Sequence, residues 1–518
     1  MTQGNKQQSD THISGGCMDR DYIISIDIGT SSCKTALFYK DGTIAGMASQ
    51  EHGTVFGAGH VVEQSPEEWW KRSVKTIRQV LGTTGVRPSQ IGVIGIDSHS
   101  SSVIPVSAEG KALYSAMIWT DRRAIQEKEW IDREVGQEVL TQINGNRNDE
   151  SNAACKILWL KRNCPSLYRD TYKILNASGY MVYRMTGKFS SNISEGGLSQ
   201  LLDIEKGRWS KELIDACGLD LEKLPDIYHC YEIVGGITAE AADQTGLESG
   251  TPVVAGTMDA VACGLGCGIT KKGDAYITGG TVTALGVCTD KPLKNGTVHV
   301  YHHIVPGAWC NMAGVDYGGG NYRWFRDTFM EHTDTGEAYE TMNRMAESVP
   351  PGAEKLLFLP TTVGQRCPQW DGLMRGVFLG VAPVHTKAHF VRAIMEGNAF
   401  AVREIMELME ELGAEVKNLM IAGGIARSRI WMEIFENILE RPLYVAKFEE
   451  ATVLGNMLNA AYGVGLLEDF HKARDYCRFQ ELPPDQEQSE KYQRLFEVYK
   501  KMYPALKERF RELSELDI

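Results

Sequence analysis

The apolar and polar positions of this chain alternate between strand-like runs and helical spacing, with glycine-containing turns between them. Tyr22-Ile23-Ile24-Ser25-Ile26-Asp27 reads as a strand, Ile28-Gly29-Thr30-Ser31-Ser32 as a turn, and Lys34-Thr35-Ala36-Leu37-Phe38-Tyr39 as the returning strand. Residues 66–81 have helical spacing, with Ser65 as the cap and Pro66 at the first position. Residues 91–97 form a continuous apolar run and read as a buried strand. Strands and helices alternate to about Gly268, where the opening theme returns. Ala275-Tyr276-Ile277-Thr278 is a strand, Gly279-Gly280-Thr281 a turn, and Val282-Thr283-Ala284-Leu285-Gly286-Val287 a return strand. A long helix is predicted over 388–412 and a strand over 419–422. Gly423-Gly424 then opens a helix running to about Glu440. Residues 451–464 predict a helix dense in small residues, and 486–516 a charged surface helix. The repeated strand–turn–strand unit predicts an α/β protein with two domains of related design facing each other.

Composition narrows the picture. The 518 residues exceed what one compact core holds and suit two large domains. The expected division is a disordered leader over 1–20, domains over 21–266 and 267–485, and a helical extension over 486–518. Hydrophobic residues at 43% and charged residues at 23% are ordinary for a soluble globular protein. The net charge of -13, from 67 acidic and 54 basic residues, shows no basic excess and argues against a nucleic-acid partner. No apolar run approaches the roughly 20 residues of a bilayer span. Residues 1–20 also lack a signal-peptide core, so a cytoplasmic protein with no membrane partner is expected. The 12 cysteines are scattered. Cys263 and Cys267 have no second Cys/His pair nearby and read as core residues in a reducing compartment. The oligomeric state stays open, with a homodimer one option.

Four segments carry candidate chemistry. In Asp27-Ile28-Gly29-Thr30-Ser31-Ser32 the glycine lets backbone N–H groups approach an anion. Thr30 and Ser31 add hydroxyls, and Asp27 can hold Mg²⁺ directly or through water. Thr278-Gly279-Gly280-Thr281 has the same chemistry, so two such turns across a cleft could clamp a triphosphate. In Ile421-Ala422-Gly423-Gly424 a strand-to-helix turn lets a base or phosphate lie on the backbone. Neither a G-x-G-x-x-G fingerprint nor a P-loop is present. In Gly256-Thr257-Met258-Asp259 an apolar strand delivers a carboxylate to a turn. That carboxylate can accept a hydroxyl proton or simply cap the helix that follows. The residues alone leave both readings open.

In order and spacing these segments resemble the FGGY carbohydrate kinases, the family of xylulokinase, ribulokinase and glycerol kinase. Further stretches carry the resemblance: Glu63-Gln64-Ser65-Pro66-Glu67-Glu68-Trp69-Trp70, Ile118-Trp119-Thr120-Asp121-Arg122-Arg123, Tyr183-Arg184-Met185-Thr186-Gly187, Gly364-Gln365-Arg366-Cys367-Pro368-Gln369-Trp370-Asp371 and Glu450-Ala451-Thr452-Val453-Leu454-Gly455. The resemblance implies two ribonuclease-H-like domains of the actin and hexokinase type around a central cleft. It implies ATP with Mg²⁺, and Asp27 at the metal. Gly29, Thr30 and Ser31 would cradle phosphate from one side, Gly280 and Thr281 from the other. Gly423 and Gly424 would lie against the adenosine, and Asp259 would be the catalytic base. Asp97, His99, Ser100, Trp119 and Asp121 are the expected sugar-side residues. Two departures bear on the nucleotide: Ile425 in the third place of the adenosine glycines is expected to tighten or tilt the base pocket, and Val282 removes a hydroxyl donor.

The R-E-T of glycerol kinases is absent. The segment 97–106 is closer to ribulokinases, whereas the Trp69-Trp70 segment resembles xylulokinases. A pentulose such as xylulose is therefore expected, with ribulose, erythritol or the quorum signal dihydroxypentanedione as alternatives. A different class, an actin-like ATPase acting on a protein partner, would share the phosphate turns. It would not need Asp259 together with Trp119 and Asp121.

Overall fold

The computed structural model describes residues 20–331, 335–446, 450–477 and 479–516. The expected leader therefore lies outside the described residues except for Arg20. Two seven-stranded sheets organise the chain. The first contains β1 (Tyr22–Ile28), β2 (Ser32–Tyr39), β3 (Ile44–Glu51), β4 (Ile91–Ser98), β5 (Ile233–Gly236), β6 (Pro252–Val254) and β7 (Thr257–Met258). The second contains β8 (Asp274–Gly279), β9 (Thr283–Thr289), β10 (His299–His302), β11 (Trp309–Val315), β12 (Asn418–Gly423), β13 (Leu443–Ala446) and β14 (Phe479–Leu482).

The sheets are twins. Across β3-β2-β1-β4-β6-β5 the pairings run antiparallel, antiparallel, parallel, parallel, antiparallel. Across β11-β9-β8-β12-β13-β14 they run in the same sequence. The central strands are mostly apolar, as strands buried on both faces should be, with their acidic residues confined to the strand ends. Gly256 (φ +85) separates β6 from β7, and a Cβ there would lie 2.3 Å from the Ile96 carbonyl. Only glycine lets the strand step sideways here and still return to β4.

The helices that matter for the site are α1 (Pro66–Thr84), α2 (Ile193–Gly196), α3 (Asp259–Gly266), α4 (Gly318–Phe329), α5 (Lys387–Glu411), α6 (Arg429–Leu439), α7 (Ala451–Gly463), α8 (Gln486–Tyr499) and α9 (Met502–Ser514). Ser65 caps α1 through Glu68 N. Although α7 comes late in the chain, it packs on the first sheet, with Asn456 Nδ2 donating to Ser25 Oγ at 2.9 Å. It crosses α3 at bare backbone. A Cβ on Gly266 would lie 1.8 Å from the Ala451 carbonyl, and one on Gly455 1.8 Å from the Ala262 carbonyl. Ala451 and Gly455 serve this crossing, while Ala460 faces Gly95 of β4 and Gly463 the Tyr231 carbonyl. One apolar cluster joins Val93, Val254 and Met258 of the first sheet to Tyr276 and Met420 of the second through Val453 and Leu454.

Two expectations need correction. The charged surface helix over 486–516 is a pair, α8 and α9. Tyr492, Phe496 and Tyr499 are buried in the second sheet's core beside Phe400, so this segment is no appendage. After Gly423, the chain makes a short 3₁₀ turn over Gly424–Arg427 and restarts at Ser428, whose hydroxyl caps α6.

Candidate active site

The parallel pair β1/β4 places Asp27 directly beside Asp97, and β7 places Thr257 on the other side of Asp97. Asp259 follows at the head of α3. Asp97 is fully buried with its carboxyl against that of Asp27, and among the described residues no N–H or hydroxyl donor reaches either of its oxygens. Burial, then the charges of Asp27 and Asp259, hold its carboxyl well above the ordinary range. Burial raises Asp27 to about 6, tempered by the ammonium of Lys34, its partner on β2. Burial and then Asp27 raise Asp259 to about 7. Asp259 is nonetheless partly open to solvent, as a cleft residue should be.

Three crowded carboxylates with two orphaned oxygens form a donor set that a hard divalent cation would satisfy. Among the described residues no three acidic, His or Cys side chains converge into a preformed ion cage. Mg²⁺ does not require one, because it keeps several waters and takes phosphate oxygens from its substrate. The residues present fit that ion.

Asp259 is the first residue of α3 rather than its cap, which is Met258. The carboxylate accepts from Ala260 N at 2.6 Å. Its approach is pinned from α2: Met258 N donates to Ser194 Oγ at 3.0 Å, and Ser194 Oγ donates to Asn192 Oδ1 at 2.6 Å.

The first turn, Gly29 to Ser31, is held by its carbonyls. Ile28 O accepts from His99 Nδ1 at 3.0 Å, and Gly29 O from His52 Nε2 at 3.0 Å. Thr30 O accepts from Gln64 Nε2 at 2.8 Å, and Ser31 O from His52 N at 3.1 Å. Trp69 stands behind all of them. It donates to Gln64 Oε1 at 3.0 Å and meets His99 and His52 edge-on, at 5.3 and 6.4 Å between ring centres. Among the described residues the N–H groups of Thr30 and Ser31 have no backbone partner. A turn with its carbonyls tied back and its amides uncommitted is built to receive an anion.

The second turn is held by close packing. Gly320 N donates to Thr281 O at 3.1 Å, and Arg323 donates to Thr281 Oγ1 at 2.7 Å. A Cβ on Gly319 would lie 2.0 Å from the Gly280 carbonyl. Gly279 and Gly423 are register partners, and a Cβ on Gly423 (φ +79) would lie 2.8 Å from Gly279 O. The glycines of the phosphate and adenosine segments are thus neighbours on adjacent strand ends. Ile425 does not tilt a base pocket: it is 1% exposed, and its side chain fills the space above Gly279.

The sugar-side residues divide. Asp97 joins Asp27 and Asp259 instead of facing a sugar alone. His99 has both ring nitrogens engaged. The Ile28 carbonyl can only accept, so Nδ1 carries the proton and Nε2 accepts from Ser102 Oγ at 2.9 Å. Burial lowers its pKa to about 4, so the ring is neutral and structural. Asp121 is buried with its oxygens taken by Val62 N at 2.7 Å and by the Arg123 guanidinium at 2.6 to 3.1 Å. It anchors Arg123, which also pairs with Glu63. Trp119 lies at the rim, half-exposed, and donates to Thr30 Oγ1 at 3.1 Å. Ser100 is half-buried at the end of β4. Sequence reasoning missed Ser194 and Lys156. Lys156 is fully buried and donates to Ser101 O at 2.6 Å and Ile118 O at 2.9 Å. Burial lowers it to about 7. Its position in the middle of an apolar helical run was the available signal.

Two family models cover most of the chain. The FGGY carbohydrate kinase N-terminal domain matches residues 22–266 and the C-terminal domain residues 275–464. The chain belongs to the FGGY family of carbohydrate kinases. This kinase is 30% identical to the xylulose kinase of Lactococcus lactis over 506 residues, 96% of this chain and 99% of that protein. It is 28% identical to the xylulose kinase of Bacillus subtilis over 495 residues, 94% of this chain and 97% of that protein. In fold the kinase is similar to the ligand-bound xylulose kinase of Lactobacillus acidophilus, with a TM-score of 0.89, 22% identity, and 95% and 99% of the two chains covered. The two-domain α/β architecture is that of the FGGY sugar kinases. Among the described residues no helix is long and apolar enough to cross a membrane.

Proposed function

We propose that this sugar kinase transfers the γ-phosphoryl group of ATP to a hydroxyl of a pentulose such as xylulose, with Asp259 as the general base. The observation that carries the reading is the position of Asp259, at a helix head beside Asp27 and Asp97 and partly open to the cleft. The 28–30% identity to xylulose kinases over nearly full length supports the choice of sugar.

The chemistry follows from the residues. The sugar hydroxyl oxygen attacks the γ-phosphorus, the bond to the bridging oxygen of ADP breaks, and the hydroxyl proton passes to a carboxylate oxygen of Asp259. A carboxylate whose proton affinity is raised by burial is a better acceptor than one in water. The amides of Thr30 and Ser31 from one side and of Thr281 from the other receive the phosphates, with Gly280 closing the second turn through its N–H to Val282 O at 3.0 Å. Gly423 and Gly424 offer a flat backbone to the adenosine. Asp27 and Asp97 would hold Mg²⁺, which supplies positive charge to the phosphates. Ser100 and Trp119 are left to contact the sugar, since His99 and Asp121 are committed elsewhere.

The test is ADP release measured with a panel of ketoses and polyols. Stimulation by xylulose, with a phosphorylated product, is expected. ATP hydrolysis that no sugar stimulates would instead favour an actin-like ATPase acting on a protein partner.

A further inference from the structure

Glu195 is a buried carboxyl that the proton transfer does not use. It occupies the third position of α2, whose cap Asn192 accepts Glu195 N at 3.1 Å. A glutamate there ordinarily turns back to the cap's own N–H. This one points the other way, beneath the segment that follows β4. Its Oε1 faces Ser98 Oγ and its Oε2 faces Ser101 N, both at 3.4 Å. Such contacts are long for a carboxyl, whose good partners lie at about 2.5–3.0 Å. Glu195 is only 5% exposed, so water does not make up the difference freely.

Its surroundings place it at the reacting end of the site. Ser98 is the register partner of Met258, the residue before Asp259, and the adjacent Ser194 holds Met258 N. Burial and then the charge of Asp259 push Glu195 up to about 8, so the two carboxyls share one environment. The Ser101 peptide between Glu195 and Lys156 is gripped at its N–H by the first and at its carbonyl by the second. Ser101 has φ +57, a left-handed conformation uncommon for a residue other than glycine. A small cavity of about 40 Å³ adjoins, in which Glu195, Ser101 and Ser199 meet a mostly apolar wall that includes Val103, Ile157 and Leu201. It has room for about three waters and none for a sugar. The carboxyl therefore stands between a chamber too small for a sugar and the strand ends that carry Asp259.

We propose that Glu195 is a sugar-binding residue whose carboxyl exchanges its two long contacts for a short hydrogen bond to a substrate hydroxyl other than the one phosphorylated. It thereby selects polyhydroxy substrates that carry a second hydroxyl within reach of the reacting one. The inference rests on the sugar-kinase reading above.

The experiment compares wild type with Glu195→Gln and Glu195→Asp, using the ketose that wild type phosphorylates and its monodeoxy analogues. Glu195→Gln should raise the ketose KM about 10- to 100-fold while the KM for ATP and the melting temperature stay near wild type. One monodeoxy analogue should bind wild type poorly and Glu195→Gln no worse than the parent sugar. Glu195→Asp should recover part of the discrimination. The proposal is overturned if wild type is active and Glu195→Gln keeps its ketose KM and its deoxy discrimination. It is equally overturned if sugar affinity, ATP affinity and melting temperature fall together, because that pattern marks a group serving only the fold. If wild type phosphorylates no sugar, the kinase reading fails first and takes this inference with it.

Discussion

The two sheets have the same strand pairings but opposite chemistry at corresponding strand ends. In the first, the paired ends of β1 and β4 carry Asp27 beside Asp97. In the second, the corresponding ends of β8 and β12 carry Gly279 beside Gly423. One sheet ends in crowded charge that needs a cation and a proton acceptor. The other ends in bare backbone that a planar ligand can approach. The turns differ in the same way. The first is held by side chains from distant segments, His52, Gln64 and His99, acting on its carbonyls. The second is held mainly by glycines packed at distances no side chain could occupy, with Arg323 bracing Thr281. A shared architecture has been specialised by giving one copy carboxylates and removing side chains from the other.

This comparison can be broken at each end. The largest effect is expected from Asp259→Asn, which should lower kcat by about 10²–10⁴-fold while sugar binding by calorimetry persists. Near-normal turnover would remove the base from the charged side. Next is Gly423→Ala on the bare side. The added methyl meets Gly279 O at 2.8 Å, and strain of about 1–3 kcal/mol should raise the KM for ATP roughly tenfold or more with the sugar KM little changed. Equal effects on both substrates would dissolve the assignment of that side to the nucleotide. Gln64→Leu leaves the Thr30 carbonyl without its donor and should raise the KM for ATP by about 3- to 10-fold, in line with the cost of an unmet buried acceptor. An unchanged ATP KM would show that the first turn holds itself.

The smallest effect is on stability. Asp27 and Asp259 have folded pKa values near 6 and 7, above the 3.8 of an ordinary Asp. The folded protein therefore keeps protons that the unfolded chain has released. Their contribution is full below about pH 4 and is lost as pH rises through 6 to 7. Against the behaviour of an Asp97→Asn variant as reference, the ligand-free protein should show a larger fall in melting temperature across that window. Added Mg²⁺ should restore more at pH 8 than at pH 5, because binding to the folded state requires the ionised carboxylates. A Mg²⁺ effect independent of pH would place the ion elsewhere.

The strands and both turns were legible because apolar runs bounded by glycine leave few alternatives, and the family resemblance carried the order of the site. The division of labour within 97–102 was not legible. Asp97 takes its neighbours from β1 and from Thr257, far along the chain, and no local pattern reports that pairing. His99 and Asp121 look like ligands in a sequence because their captors, the Ile28 carbonyl and Arg123, are visible only after folding. Ile425 seemed to intrude on a ligand site because the sequence does not show that Gly279 leaves a hollow for it. The burial of Tyr492, Phe496 and Tyr499 was hidden by the charges around them, although their helical spacing was in plain view.

The crossing of α3 and α7 has a mechanical meaning. With Gly266 and Gly455 against the facing backbone, the two helices touch main chain to main chain at the crossing, while Val261, Leu265, Val453 and Leu454 pack in the apolar cluster around it. Asp259 is the first residue of the helix that makes this crossing. Glu450, just ahead of α7, is paired with Lys34 on the first sheet. The helix that carries the proton acceptor is thus fixed against the helix that ties the late part of the chain to the first sheet, so a change of spacing at this crossing would be felt directly at the base.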